Sequence, residues 1–218
     1  MDVMENEFKI KVAVLVDIGF FLKRFKDIFN YPQLDHEKTA TALVYMANQH
    51  VGNNYLYRVF CYDCLPHDGK AHNPVNKKVI DFSKSDVFKF RVNFHACLKK
   101  KRKFALRLGY LKRESPGFNW MLRKDKLKGL LSRDIVISDL KDGDVFYDLR
   151  QKGVDIKIGL DIASLAYKKL VDKIVLVSGD GDFVPAAKVA RREGIDFVLD
   201  PMWNHINDSL FEHIDGLY

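Results

Sequence analysis

The chain has 218 residues, with 36 Lys and Arg against 29 Asp and Glu, giving a formal charge of +7 with histidine neutral. At 47% hydrophobic and 30% charged residues it is too apolar for an intrinsically disordered chain, and 13 Gly with 6 Pro exclude collagen-like and low-complexity architectures. Three cysteines (Cys61, Cys64 and Cys97) are too few for a disulfide scaffold and point to a reducing compartment. The N-terminus, MDVMENEFKIKVAVLVDIGFF, starts acidic, and its apolar stretch is cut by Asp17 and followed by Lys23 and Arg24. That is neither a signal peptide nor a membrane span of about 20 apolar residues. The expectation is a soluble, cytoplasmic protein without membrane association. The positive balance favours a polyanionic partner.

Lys11–Val16 is a nearly continuous apolar run, suited to a strand buried on both faces of a parallel sheet. Phe20 to Phe29 reads as a helix. A second begins at Asp35, an N-cap, with Ala40, Leu43, Val44 and Ala47 on one face. Tyr55–Tyr62 is strand-like, Asp63–Pro74 a loop, Asn73 to about Leu98 mainly helical, and Phe104–Leu111 a strand or half of a hairpin. Between Lys112 and Lys152 the pattern is weak, with a short helix near Lys124–Leu131 and a strand at Asp134–Ser138. The whole chain, 1–218, reads as one domain with an insertion or peripheral subregion at about 99–152. The last third is clearer: a helix over Gly159–Leu170, a strand at Lys173–Val177, a helix from Phe183 to Arg192, a strand at Ile195–Leu199 and a short helix at Asn207–His213. Strands alternating with helices predict an α/β fold with a mainly parallel sheet and right-handed crossovers.

Open parallel sheets bind ligands beyond the carboxyl ends of their strands, at a topological switch point. Two apolar strands here end in acids: VAVLVDIG places Asp17 at a tip, and IVLVSGDGD places Asp180 and Asp182 at another. Asp161, in the helical segment before the second strand, can point at the same edge. Asp155 lies in the turn before it. Carboxylates sharing a small cleft repel one another and resist desolvation. A divalent cation removes that conflict, and an all-oxygen site with room for water suits Mg²⁺ or Mn²⁺. Such an ion orients a phosphodiester, activates a bound water and offsets charge on the departing oxygen. A single Asp after a strand is more often an N-cap, so the combination carries the reading.

VAVLVDIGFFLKR, KGVDIKIGLDIASLAY and IVLVSGDGDFVPAAKVARREGIDFVL resemble the NYN domain, in the LabA-like (DUF88) branch of the PIN-like nuclease superfamily. The order KGVD, LD, SGDGDF is the most specific part. The resemblance implies a Rossmann-like α/β/α sandwich and a metal-dependent ribonuclease. It makes Asp17, Asp161 and Asp180 core metal-binding acids, Asp182 a fourth and Asp155 a second-tier acid. One departure stands out: many members carry Asn three residues after the first Asp, where this chain has Phe20. That loss bears on catalytic vigour more than on metal binding.

Lys99, Lys100, Lys101, Arg102 and Lys103 form a basic run, with Arg107 and Lys112 behind it and Phe104, Tyr110, Phe118 and Trp120 interleaved. Cations for phosphates beside rings for bases suit single-stranded or structured RNA; the bland alternative is a solvated helix end. Cys61, Cys64, His67 and His72 are too compressed for an ordinary zinc finger. His50, His95, His205 and His213 read as surface or packing residues, and DLKDGDVFYD departs from calcium-loop spacing. The leading expectation is an Mg²⁺- or Mn²⁺-dependent endoribonuclease, with self-association left open. A HAD-like phosphatase needs a second Asp where Gly19 stands. The non-enzymatic alternative is an RNA-binding or assembly module with a weakened site.

Overall fold

No polar side chain interrupts the sequence between Lys11 and Asp17, and these residues form the central strand β1 (Lys11–Asp17), with Val12–Val16 buried. The computed structural model describes residues 9–30, 33–112, 119–206 and 208–218. After β1 come α1 (Ile18–Phe29), α2 (His36–Val51), β2 (Tyr55–Cys64), β3 (Lys70–His72), β4 (Val79–Asp81), α3 (Asp86–Lys99), β5 (Phe104–Leu111), β6 (Trp120–Leu122) and α4 (Lys124–Ser132). The chain continues through β7 (Val145–Tyr147), β8 (Gln151–Lys152), α5 (Val154–Tyr167), β9 (Lys173–Val177), α6 (Val184–Arg192), β10 (Asp196–Asp200), α7 (Asp208–Phe211) and β11 (Gly216–Leu217).

Seven strands form one sheet in the order β11-β10-β9-β1-β2-β5-β8, parallel throughout except for the antiparallel β8. The pleat sends alternate residues to opposite faces. Val12, Val14, Val16, Val59, Cys61, Val175 and Val177 pack with Phe21 of α1, Leu43 of α2 and Phe94 of α3. Ala13, Leu15, Phe60, Tyr62, Ile174 and Leu176 pack with Ile158 and Ile162 of α5 and Ala187 of α6. The result is the three-layer α/β/α sandwich expected from the sequence. From β1 the chain moves outward through β2 and β5, then returns to the other side of β1 as β9. The switch point is therefore between β1 and β9.

Several local expectations fail for identifiable reasons. Of the helix expected from Asn73 to Leu98, only Asp86–Lys99 is α-helical. Asn73 instead closes a turn, its Oδ1 accepting from the Val75 and Asn76 amides, and Val79–Asp81 pairs with β3. The strand expected at Asp134–Ser138 is a turn, since the Asp139 carboxylate accepts the Val136 amide and Ile137–Asp139 is a 3-10 turn. β2 runs on through Cys64, into the expected loop. Phe104–Leu111 belongs to the main sheet, while β6, α4 and β7 lie off it. Phe118 and Asn207 lie outside the described residues.

Gly109 on β5 sets where α5 begins. A Cβ there would fall 2.5 Å from the Lys152 carbonyl oxygen and 2.9 Å from Val154 Cγ2, so only a bare backbone admits the chain entering α5. Gly109→Ala is expected to cost about 1–3 kcal/mol through overpacking, read as a lower urea midpoint at unchanged slope. Gly143→Ala, where a Cβ meets nothing within 4 Å, should stay within about 0.5 kcal/mol of the parent.

Candidate active site

At the switch point β1 delivers Asp17, whose Oδ1 accepts the Phe20 amide at 3.1 Å and caps α1. Across the gap β9 runs into Ser178-Gly179-Asp180-Gly181-Asp182. Asp180 caps the following 3-10 turn by accepting the Asp182 amide at 2.9 Å. Asp17 and Asp180 line one cleft of about 490 Å³, together with Lys23, Arg24, Asp27 and Asn204. The Arg24 guanidinium is fixed by the Met202 carbonyl, at 3.0 Å from Nε and 2.7 Å from Nη2. Phe20 packs its ring on Gly179: a Cβ at that glycine would lie 2.7 Å from Phe20 Cε2 and 3.1 Å from Asn204 Nδ2.

The carboxyl groups act on one another. Asp155, exposed in the first turn of α5, is raised above the ordinary aspartate value by partial burial, then by the charges of Asp180 and Asp182, with Lys152 opposing. Asp17 is also raised, mainly by burial and further by Asp155 and Asp63, against the pull of the Phe20 amide. Asp17, Asp155, Asp180 and Asp182 thus share one electrostatic neighbourhood. Asp161 is held differently. Its Oδ2 accepts the Tyr62 hydroxyl at 2.8 Å and the Arg107 Nε–H at 3.2 Å. Burial and the Asp161 charge push the Tyr62 phenol far up, so it remains a donor.

A further acid at this edge, Asp63 of β2, was missed among the sequence candidates because it follows the predicted strand. It is fully buried, accepts Arg91 Nη1 at 2.6 Å and pairs with His95 Nε2 at 2.7 Å. Burial would raise it, but the His95 hydrogen bond and the Arg91 charge outweigh that and hold it below the usual range. On the far flank Asp200 of β10 pairs with His50 Nε2 at 2.8 Å. Both flanking acids therefore carry an imidazole partner, and His50 and His95 are buried pairing groups. Among the described residues no ion pair is formed by Asp17, Asp155, Asp180 or Asp182.

The basic run sits elsewhere. Lys99 ends α3, and Lys103 lies at the amino end of β5, its Nζ bonded to the Leu56 carbonyl and 3.7 Å above the Tyr55 ring. The β2–β5 register sets Leu108 beside Asp63, so Lys103 is five residues, roughly 16 Å along the strand, from the acidic edge. Arg107, opposite Tyr62, is at the acidic end.

Among the described residues no three His, Cys, Asp or Glu side chains stand ready to hold a metal ion. An edge with several carboxylates nevertheless has the donor chemistry of a hard cation, and Mg²⁺ is commonly held by one or two carboxylates, with waters and substrate phosphates completing its shell.

The NYN-domain profile matches residues 77–215, well over half of the chain. The chain belongs to the NYN family. The NYN domain is part of the PIN-like nuclease superfamily, and the chain's acids at 155, 161, 180 and 182 fall within the matched span, while Asp17 precedes it. A crystal structure of a protein of unknown function from Vibrio parahaemolyticus is similar at a TM-score of 0.50 and 18% identity, over 98% of this chain and 94% of that one. At that identity the likeness is one of fold. No curated protein matches the chain. No helix among the described residues is long and apolar enough to cross a membrane.

Because Asp155 is raised in the folded state, its carboxylate form penalises folding above the unfolded value of about 3.9, and protonation relieves the penalty as pH falls. In EDTA at pH 7, Asp155→Asn should raise Tm by about 1–3 °C, a small effect for a screened group, and the gain should narrow at pH 4.5. Asp63 is lowered, so its stabilisation is present above the unfolded value and lost only below it. Asp63→Asn should cost about 2–4 kcal/mol at both pH values in denaturant titrations.

Proposed function

We propose that this NYN protein is a cytoplasmic, metal-dependent endoribonuclease of the LabA-like branch. The observation that carries the reading is the set of carboxylates at the β1–β9 switch point, which form no ion pair among the described residues while the acids flanking them, Asp63 and Asp200, are paired. Asp17, Asp155, Asp180 and Asp182 would hold Mg²⁺ or Mn²⁺. The bound ion supplies an activated water and offsets charge on the departing oxygen.

The chain's own groups do the remaining work. Lys23 and Arg24 line the acidic cleft and offer cations to the scissile and neighbouring phosphates. The Met202 carbonyl orients the Arg24 fork before substrate arrives. Asn204 brings an amide to the cleft that Phe20 cannot supply. Asp161, whose Oδ2 is held by Tyr62 and Arg107, would add its other carboxylate oxygen to the ion's ligands while positioning that guanidinium towards the strand. The run from Lys99 to Lys103 meets RNA only where a strand extends past the carboxyl edge. A second reading, an RNA-binding module with a weakened site, is favoured by the Phe20 ring against Gly179 and by the absence, among the described residues, of a ready three-acid group.

Single-stranded RNA incubated with Mn²⁺ is expected to be cleaved, with EDTA abolishing the activity. Asp180→Asn and Asp155→Asn should each lose at least about 100-fold, the scale of losing a metal ligand or its support. Lys103→Ala should change cleavage by less than about three-fold. Equal cleavage by the parent and Asp180→Asn overturns the proposal. Binding that persists in EDTA and weakens with salt, without cleavage of any RNA, selects the binding module.

A further inference from the structure

The acidic cleft does not end at α1. A second groove, of about 360 Å³, opens between α1 and α3, walled by Gly19, Lys23 and Lys26 on one side and by Val87, Phe90 and Arg91 on the other. Lys23 lines both the groove and the acidic cleft, and Gly19 stands two residues beyond Asp17, so the two depressions meet around the first turns of α1. Three side chains on the groove lining are cations, and one, Asp86 in the first turn of α3, is an acid.

The cations differ in how they are held. Lys23 and Lys26 are exposed and form no ion pair among the described residues. Arg91, by contrast, is anchored from below. Its side chain is 20% exposed, and the buried Asp63 accepts its Nη1 on both oxygens, at 2.6 and 2.5 Å. Asp63 is itself fixed by the Cys64 amide at 2.9 Å and by His95. An arginine that only neutralised this acid would set two nitrogens against its two oxygens, the common fork arrangement. Here both oxygens converge on one nitrogen, and Nε and Nη2 have no partner among the described residues. A planar guanidinium gripped at one corner presents its remaining donors in fixed directions, which suits a phosphate. Asp63 offsets the charge of Arg91, so the buried pair adds direction to the groove, while Lys23 and Lys26 add positive potential.

We propose that the α1–α3 groove is the path by which a single RNA strand leaves the acidic cleft, with Lys26 and Arg91 binding the phosphates next along the strand from the one at Lys23. The proposal rests on the ribonuclease reading for the identity of the strand, and it makes Lys26 and Arg91 positioning residues away from the reacting atoms.

The test is binding of a short single-stranded RNA in EDTA, with the leucine and valine methyls labelled with ¹³C. The strand should shift Val87 and Leu34, which line the groove, saturably and leave Leu131, on α4, unmoved. A strand of the same bases on a neutral methylphosphonate backbone should leave Val87 and Leu34 in place. Lys26→Ala should weaken binding about two- to five-fold and make the slope of log K against log salt shallower by about 0.7, the signature of one phosphate contact on a single strand. Lys26→Arg should restore both. Arg91→Lys keeps a cation against Asp63 but loses the free edge of the guanidinium, and should weaken binding about ten-fold, the equivalent of one charge-assisted hydrogen bond. Where Arg91→Lys fails to fold, the Lys26 pair and the methyl shifts decide. Binding that leaves Val87 and Leu34 unmoved, equal affinity for the neutral strand, unchanged affinity and slope in Lys26→Ala, or no binding by the parent overturns the proposal. No cleavage is measured, so a protein that takes the strand into the groove and cuts no RNA keeps this proposal and loses the nuclease reading.

Discussion

Parallel strands deliver all their carboxyl ends to one edge, and here four neighbouring strands, β2, β1, β9 and β10, bring an acid to that edge at or just beyond their tips. Like charges so placed cost free energy unless each is neutralised, hydrated or shared with a cation. The structure treats the flanks and the centre differently. Asp63 and Asp200 are buried, and each is matched by an imidazole, with Arg91 added at Asp63. Asp17 and Asp180 line an open cleft instead, and the nearby Asp155 is raised by partial burial and then by the charges of Asp180 and Asp182. The central acids form no ion pair among the described residues, which leaves negative charge at the switch point, where water or an added cation can still reach it.

This charge arrangement separates two surfaces that composition alone would merge. The net charge of +7 and the run from Lys99 to Lys103 suggest a broadly basic protein. The run, however, sits at the amino end of β5, and the parallel register makes that the edge opposite the acids. Cations close to the acids are Lys23 and Arg24 of α1 and Arg107 of β5. A phosphodiester approaching the acidic edge therefore meets a few positioned cations beside unpaired carboxylates.

Much of the frame was legible because its signals are local. KVAVLV and KIVLV are uninterrupted apolar runs, and they became β1 and β9 within a residue of the expected limits. Asp35 capped α2 as its position before the periodic residues predicts. What escaped was set by long-range pairing. Val79–Asp81 is a strand only because Lys70–His72 lies beside it, and nothing in its own residues opposes helix strongly. The position of the basic run depends on which edge β5 starts from, information held in strand order. The site shows the same division: the acids at the tips of β1 and β9 could be read from the sequence, but Asp63 and Asp200 were not, and their imidazole partners come from residues 32 and 150 positions away.

Helix α1 links these observations. Its N-cap is Asp17, so the helix axis and the first acid are fixed together. At 3.6 residues per turn, Phe20, Lys23, Arg24 and Asp27 line the cleft, while Phe21, Phe25 and Phe29 line an apolar cavity. The segment after β10 clasps both sides: Met202 holds Arg24, and Asn204 approaches Gly179 beside the Phe20 ring. Phe20 in place of a polar residue therefore extends the apolar packing of α1 onto the acidic loop. A shift of α1 in its bed of aromatic side chains would carry the Asp17 carboxylate with it, because the capping hydrogen bond to the Phe20 amide leaves the acid little freedom to move independently of the helix.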